Sequence, residues 1–242
     1  MRETVVAVIP IRGADEEFRD GPLTPLGGRP LIEYTLLAAK EAGRIDRVIV
    51  STEDQAMAEA CRGYGVEAPF LRPASLGKPE VTATEILRHA IEWLEAREGY
   101  SADWLVKLEI THPFRPAGLI DLVIETALST PVDSAFLASE ERHSYWMLDA
   151  DGRPQEIGQD VDVPRRHRRP FYRDLSGLAA ITRAANLKRG ALYGERLGLI
   201  PWNDPFAVVD THEGREGPYQ EWKGFRMAEL LAPEFNRLMS WK

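Results

Sequence analysis

Residues 4–10, Thr-Val-Val-Ala-Val-Ile-Pro, contain four Val or Ile and no charge. So short a run without alternation reads as a strand covered on both faces, the kind found inside a parallel sheet. A chain that opens this way has to supply helices for both sides of that sheet. It does so in alternation. Residues 31–42 have amphipathic spacing and stop at Gly43, residues 47–51 form a second buried strand, and residues 53–64 form a second helix ended by Gly65. Residues 67–71 read as a third, shorter strand. Ile86, Leu87, Ala90, Ile91 and Leu94 fall at helical spacing within residues 82–97. Residues 104–108 give a fourth strand, and residues 116–128 a helix whose first turn tolerates proline. The expected class is α/β, a doubly wound and mostly parallel sheet. Ligands of such sheets sit at the carboxyl ends of the strands, so the loops after Pro10, Ser51, Leu71 and Leu108 are expected to face one crevice.

The rhythm changes after Pro131. Residues 133–138 and 144–148 are strand-like, Asp149-Ala150-Asp151-Gly152 is a turn signal, and residues 161–172 are charged and punctuated by proline. We read residues 140–172 as a β-rich arm inserted in a single domain that runs over residues 1–242. The sheet is expected to resume at residues 178–182, 197–201 and 206–210, and a helix over residues 225–239 to close the chain.

Composition excludes several classes. With 44% hydrophobic and 28% charged residues the chain can bury a real core and is neither disordered nor collagenous. No apolar run approaches the ~20 residues that cross a bilayer. Met1 leads directly into a strand-like segment with no signal-peptide core, so a cytoplasmic protein without membrane partners is expected. Thirty Lys and Arg stand against 38 Asp and Glu, a net charge of −8. That sign opposes general nucleic-acid binding unless cations are concentrated locally. The single cysteine, Cys61, lies in an apolar helical stretch and reads as a buried, inert thiol.

The first loop carries the most chemistry. A glycine-bearing loop directly after a buried strand is where backbone N–H groups often cradle phosphate. Here the sequence is Ile9-Pro10-Ile11-Arg12-Gly13, then Pro25-Leu26-Gly27-Gly28-Arg29-Pro30-Leu31; it matches neither a Walker loop nor Gly-x-Gly-x-x-Gly. Further on come Val50-Ser51-Thr52-Glu53-Asp54, Phe70-Leu71-Arg72-Pro73-Ala74-Ser75-Leu76, Thr111-His112-Pro113-Phe114-Arg115, His143-Ser144-Tyr145-Trp146 and Val209-Asp210-Thr211. Together these resemble the sugar nucleotidyltransferases, and among them the acylneuraminate (CMP-sialic acid synthetase) cytidylyltransferase family, over nearly the whole chain.

The resemblance implies the nucleotide-diphospho-sugar transferase type of fold, with an arm that makes a homodimer. It implies a reaction in which the anomeric hydroxyl of an acidic 2-keto sugar attacks the α-phosphate of a nucleoside triphosphate, expected to be CTP, with Mg²⁺ on the phosphates. It assigns Arg12 and Gly13 to phosphate, Arg72 to the base side, and Asp210 to the metal; Arg12 and Asp210 are the catalytic pair. Glu109 and Thr111, after the fourth strand, join the nucleotide set. Arg115, with Arg165, Arg166, Tyr172 and Arg173 of the arm, is assigned to the acceptor, whose carboxylate suits guanidinium forks.

Several positions depart from the family pattern. Ala14-Asp15-Glu16-Glu17 stands where the family has Gly-Ser-Lys-Gly, and residues 12–24 hold two arginines against four acids. Val208-Val209-Asp210 keeps one carboxylate of an Asp-x-Asp pair, Glu109-Ile110-Thr111-His112-Pro113 replaces Gln-Pro-Thr-Ser-Pro, and Ser176-Gly177 replaces Asn-Gly. Two readings therefore stand: a transferase with different phosphate contacts, nucleotide or acceptor, or an inactive paralogue that binds a nucleotide or partner protein. Asp210, His212 and Glu213, with Glu109 or His112, raise a metal cluster against a merely polar loop. Glu109 and His112 raise an acid/base pair against a turn-stabilising role. Ser51, Ser139 and Ser176 lie outside any Gly-x-Ser-x-Gly elbow. The run Arg165-Arg166-His167-Arg168-Arg169 reads as an acceptor or dimer contact rather than a nucleic-acid face.

Overall fold

A computed structural model describes residues 2–13, 21–158, 162–204, 206, 209–211 and 223–239. The strands are β1 (Val5–Pro10), β2 (Pro25–Leu26), β3 (Arg29–Pro30), β4 (Arg47–Ser51), β5 (Trp104–Lys107), β6 (Ser134–Glu141), β7 (Tyr145–Leu148), β8 (Pro154–Ile157), β9 (Phe171–Asp174), β10 (Ala180–Arg183) and β11 (Leu197–Pro201). The helices are α1 (Leu31–Glu41), α2 (Gln55–Gly63), α3 (Ala83–Glu98), α4 (Leu119–Ser129), α5 (Ala184–Lys188) and α6 (Lys223–Met239).

The central sheet runs β11-β6-β10-β5-β1-β4, with β9 paired to the far half of β6. β1 pairs in parallel with both β4 and β5, and β11 in parallel with β6. β10 is antiparallel to both its neighbours, so five of the six strands on that path point the same way. The mostly parallel α/β sheet read from the sequence is the one observed.

β1 lies between β4 and β5, and its alternation divides the core. Val5, Ala7 and Ile9 face the side packed by α1, α2, α4 and α6; Val6 and Val8 face α3 and α5. Thr82 caps α3 in a reciprocal box with Glu85, which fixes where that helix starts. An aromatic stack of Tyr34, Phe114 and Phe235 joins α1, the turn after β5, and α6, with Phe114 and Phe235 centroids 4.8 Å apart.

Four expectations are corrected. Residues 67–71 make no strand: a single bridge, Ile49 to Glu67, is all that forms. Phe206, Val209 and Asp210 are not strand residues, and the Val209 N–H instead turns back to the Phe206 carbonyl at 3.2 Å. The neighbouring Pro205, Ala207 and Val208, like Ala14-Asp15-Glu16-Glu17, His212 and Glu213, lie outside the described residues. Strand β8 was not anticipated. The helix expected over residues 116–128 begins three residues later, after Gly118.

Cys61 is fully buried, and burial pushes its thiol up to about 11. A thiol reagent at about pH 8 should leave Cys61 unmodified in the folded protein and label it only on unfolding, as mass spectrometry would read.

Candidate functional site

The carboxyl ends of β4, β1 and β5 lie side by side because these strands are adjacent and parallel. On the β4 side, the chain leaving β1 is tied down by Ile11 N–H to the Ser51 carbonyl, 3.0 Å. Arg12 Nη2 bridges the carbonyls of Lys78 and Pro79, 3.3 Å each. Gly13 runs against the capping residue of α2: a Cβ there would lie 2.0 Å from Asp54 Cβ, so no side chain fits. Its N–H donates to Glu53 Oε1 at 3.1 Å. Arg72 is 2% exposed. Its Nη1 donates to Ser51 O at 3.1 Å and its Nη2 to Ile11 O at 3.2 Å, and Nη2 also pairs with Glu53. Burial pulls the Arg72 guanidinium down and the Glu53 carboxylate pulls it back up. Arg12, Gly13 and Arg72 are thus assembled on one loop group. Glu53, at its centre, was not assigned from the sequence, where it reads as the first residue of a helix.

On the β5 side, Arg115 organises the turn. Its Nε donates to Leu178 O at 2.6 Å, Nη1 to Thr35 Oγ1 at 2.8 Å, and Nη2 to Glu109 O at 2.5 Å and Gly177 O at 2.8 Å. The residue is 1% exposed, and burial pulls its guanidinium down to about 9 against the opposing field of Glu109, leaving it cationic at neutral pH. The acceptor role expected of Arg115 does not fit this placement. It is framework beneath the crevice, not a group at its mouth.

Glu109, with its side chain one-third exposed, meets Lys107 Nζ at 2.6 Å. Burial pushes its carboxyl up, but the charge and hydrogen bond of Lys107, with His112 and Arg115, hold it below the usual carboxylate range. Lys107 is only 5% exposed and also reaches Ser176 Oγ at 3.4 Å. Its one sequence signal was a lone cation inside the apolar Trp104–Lys107 strand. His112 Nδ1 lies 3.0 Å from Thr111 Oγ1. Burial pulls His112 below the ordinary imidazole range, against Asp210 and Glu109, which favour its charged form. Gly177 closes this side: a Cβ there would be 2.3 Å from His112 Nδ1 and 3.0 Å from Glu109 Oε2. The Thr211 N–H and hydroxyl both donate to Thr111 O, at 2.8 and 3.1 Å, and bring Asp210 alongside His112.

Among the described residues no three His, Cys, Asp or Glu side chains are grouped to hold a metal ion. Asp210 therefore stands as one carboxylate. Mg²⁺ is commonly held by one or two carboxylates together with substrate phosphates and water, so the donor set fits a cation carried chiefly by a polyphosphate. Among the described residues there is no all-protein cage.

The arm residues make contacts of their own. Arg165 contacts His143, Arg166 Nε donates to His167 Nε2 at 3.1 Å, and Arg168 Nη1 donates to Ser144 Oγ at 2.6 Å. Tyr172 and Arg173 line a cavity of about 320 Å³ with Glu141, Tyr145, Ile157 and Phe171. Arg173 Nε lies 3.2 Å from Glu141. No helix among the described residues is long and apolar enough to cross a membrane.

A mostly parallel α/β sheet gathers polar loops at the ends of β1, β4 and β5, where open sheets of this class bind their ligands. Residues 6–151 match the family described as cytidylyltransferase, and the chain belongs to that family. It is similar to a mitochondrial 3-deoxy-manno-octulosonate cytidylyltransferase of Arabidopsis thaliana, 31% identical over 135 residues, 56% of this chain and 43% of that protein. An N-acylneuraminate cytidylyltransferase of Streptococcus agalactiae is 24% identical over 215 residues, 86% of this chain and 51% of that protein. The chain spans about half the length of the curated relatives it matches. A CMP:2-keto-3-deoxy-manno-octonic acid synthetase solved with CTP shares the fold, with a TM-score of 0.65 and 16% identity over 96% of this chain and 100% of that one.

Two outcomes test this geometry. Arg115→Met leaves three carbonyls and a hydroxyl without their buried donor, and should cost about 3 kcal/mol or more in urea unfolding. His112 is held below the unfolded imidazole value, and so is His89, by burial and by the Arg72 charge against Glu92. The unfolded state then binds more protons than the folded one, so stability is full above about pH 6.5 and falls as the pH drops below it. A His89→Gln, His112→Gln double variant should flatten the decline of Tm between about pH 7 and pH 5.

Proposed function

We propose that the chain transfers a cytidylyl group from CTP to an acidic 2-keto sugar and releases pyrophosphate. The observation that carries this reading is family membership across residues 6–151, the stretch that holds the β1, β4 and β5 ends with Arg12, Gly13, Arg72, Glu109 and Thr111. The relatives' names, an octulosonate and an acylneuraminate cytidylyltransferase, support the acidic acceptor. In the step, the acceptor's anomeric oxygen bonds to the α-phosphorus, the bond from that phosphorus to the pyrophosphate oxygen breaks, and the hydroxyl proton is lost. Arg12 meets the phosphates and Arg72 braces the base side of the loop. Asp210 would be the carboxylate that holds Mg²⁺, which when bound would offset charge on the leaving pyrophosphate. Arg165, Arg166, Tyr172 and Arg173 serve the acceptor from the arm. Trp146, Met147 and Leu148, each more than half exposed on β7, support a homodimer built through that arm.

The test is pyrophosphate release with Mg²⁺, each of the four nucleoside triphosphates and a panel of 2-keto sugar acids. Release with CTP and one acid bears the reading out. Silence from folded protein across the panel moves the chain to a binding role. Asp210→Ala should abolish release, a loss of at least about 100-fold, with Tm nearly unchanged; full activity in that variant removes the metal assignment.

A further inference from the structure

Glu53 sits where three chain segments meet. Its Oε1 accepts the Gly13 N–H at 3.1 Å and its Oε2 pairs with Arg72 Nη2. Its carboxyl carbon packs beneath the turn Ala74–Gly77, so closely that a Cβ on Gly77 would lie 3.0 Å away. Arg72 is buried while the Glu53 side chain is 21% exposed, so the carboxylate is the solvent-facing member of the pair. Arg12 adds a second guanidinium near enough for its charge to act on Arg72. A glycine N–H and the Arg72 guanidinium, with Arg12 close by, make surroundings suited to an anion, and the group that the Gly13 N–H and Arg72 hold is an acceptor-only carboxylate. Among the described residues Arg72 Nε and Ser51 Oγ are buried with no partner, so the pairing with Glu53 leaves part of the Arg72 guanidinium unused.

We propose that Glu53 is a built-in anion latch: its carboxylate fills the place between the Gly13 N–H and Arg72 that a phosphate of the nucleotide takes, and so sets how tightly the nucleotide binds. The proposal rests on the phosphate reading of Arg12 and Gly13, and it moves Arg72 from the base side to the phosphate side. It gives Glu53 a sign opposite to that of a brace. A brace removed weakens binding, whereas a latch removed strengthens it, because one negative charge no longer competes with the phosphates.

The experiment compares wild type, Glu53→Gln and Glu80→Gln by calorimetric titration and thermal shift, with CTP and with inorganic pyrophosphate alone. Glu80 is exposed on the segment that Arg12 contacts, and its variant makes the same charge change without the latch contacts. Glu53→Gln should bind both ligands about tenfold more tightly, equal to about 1.4 kcal/mol. Its Tm should be lower without ligand and should rise further with it, since Arg72 then regains a counter-charge from the phosphate. Glu80→Gln should stay within about twofold of wild type. Equal or weaker binding by Glu53→Gln, or equal tightening by Glu80→Gln, overturns the latch. Should Glu53→Gln not fold, Glu53→Asp, which keeps the charge but shortens the reach to Gly13, should bind about threefold more tightly; no gain there overturns it equally. If no acceptor and nucleotide yield pyrophosphate while Glu53→Gln still gains pyrophosphate affinity, the transferase reading fails and the latch stands. If neither protein binds pyrophosphate, the latch fails whatever the assay gives.

Discussion

The guanidinium of Arg115 is a full charge enclosed by protein, and the crevice takes its form from how that charge is satisfied. Burying a cation is costly unless it is ringed by acceptors. The carbonyls of Glu109, Gly177 and Leu178 and the hydroxyl of Thr35 supply that ring. These acceptors come from three places: the turn after β5, the loop before β10, and the inward face of α1. Satisfying one charge therefore fixes the two loops against each other and against a helix. The Glu109 side chain, the His112 ring and the bare Gly177 backbone fall into register as a consequence.

Arg72 solves the same problem on the other side of β1, with Ser51 O, Ile11 O and Glu53 as its acceptors. Two buried arginines thus brace the loops while their charges point inward. Among the described residues, the carboxylates Glu53 and Glu109 stand at these strand ends, with Asp210 beside His112 and Arg12 near Arg72. Lys107 offsets Glu109 at 2.6 Å. A polyanion in this site would gain little from Arg72 unless the Glu53 carboxylate moved aside.

The sequence made the inner sheet plain because its signals were strong and local. Val5 to Ile9 alternate between two cores with no charge to disturb them, and Arg47–Ser51 and Leu197–Pro201 begin and end where their patterns do. Residues 67–71 failed because extended backbone is not the same as a paired strand, and only Glu67 reaches β4. Strand β8, Pro154-Gln155-Glu156-Ile157, gave no hydrophobic signal because its partner is an exposed hairpin strand rather than the core. In the site, Arg12, Gly13 and Arg72 were singled out through their neighbours in the motif, and the structure brings them together around Ile11 and Glu53. Arg115 was misplaced because an arginine after Pro-Phe looks like a loop residue, and nothing in one dimension shows that its side chain turns inward. Glu53 was missed because its partner Arg72 is distant in sequence, and Lys107 because nothing in one dimension shows its strand-buried ammonium turning to Glu109 and Ser176.

The arm is not a separate appendage, because β6 carries both it and the site. A two-stranded hairpin such as β7–β8 is marginal in water on its own. Here the Arg142 guanidinium reaches the Arg168 carbonyl, Arg168 holds Ser144, and Tyr145 meets Phe171 edge-on at 5.3 Å. These contacts tie the hairpin to β9, and β9 is paired along the outer half of β6. From Arg173 the chain needs only Asp174, Leu175 and Ser176 to arrive at Gly177, and the Leu175 N–H is pinned to Leu137 O at 2.9 Å on the way. The β6–β9 pairing and the Leu175 pin therefore join the hairpin to the loop that Arg115 holds under Glu109 and His112. The arm and the crevice are linked through hydrogen-bonded strands and a short stretch of chain, so a change in one has a direct covalent and hydrogen-bonded route to the other.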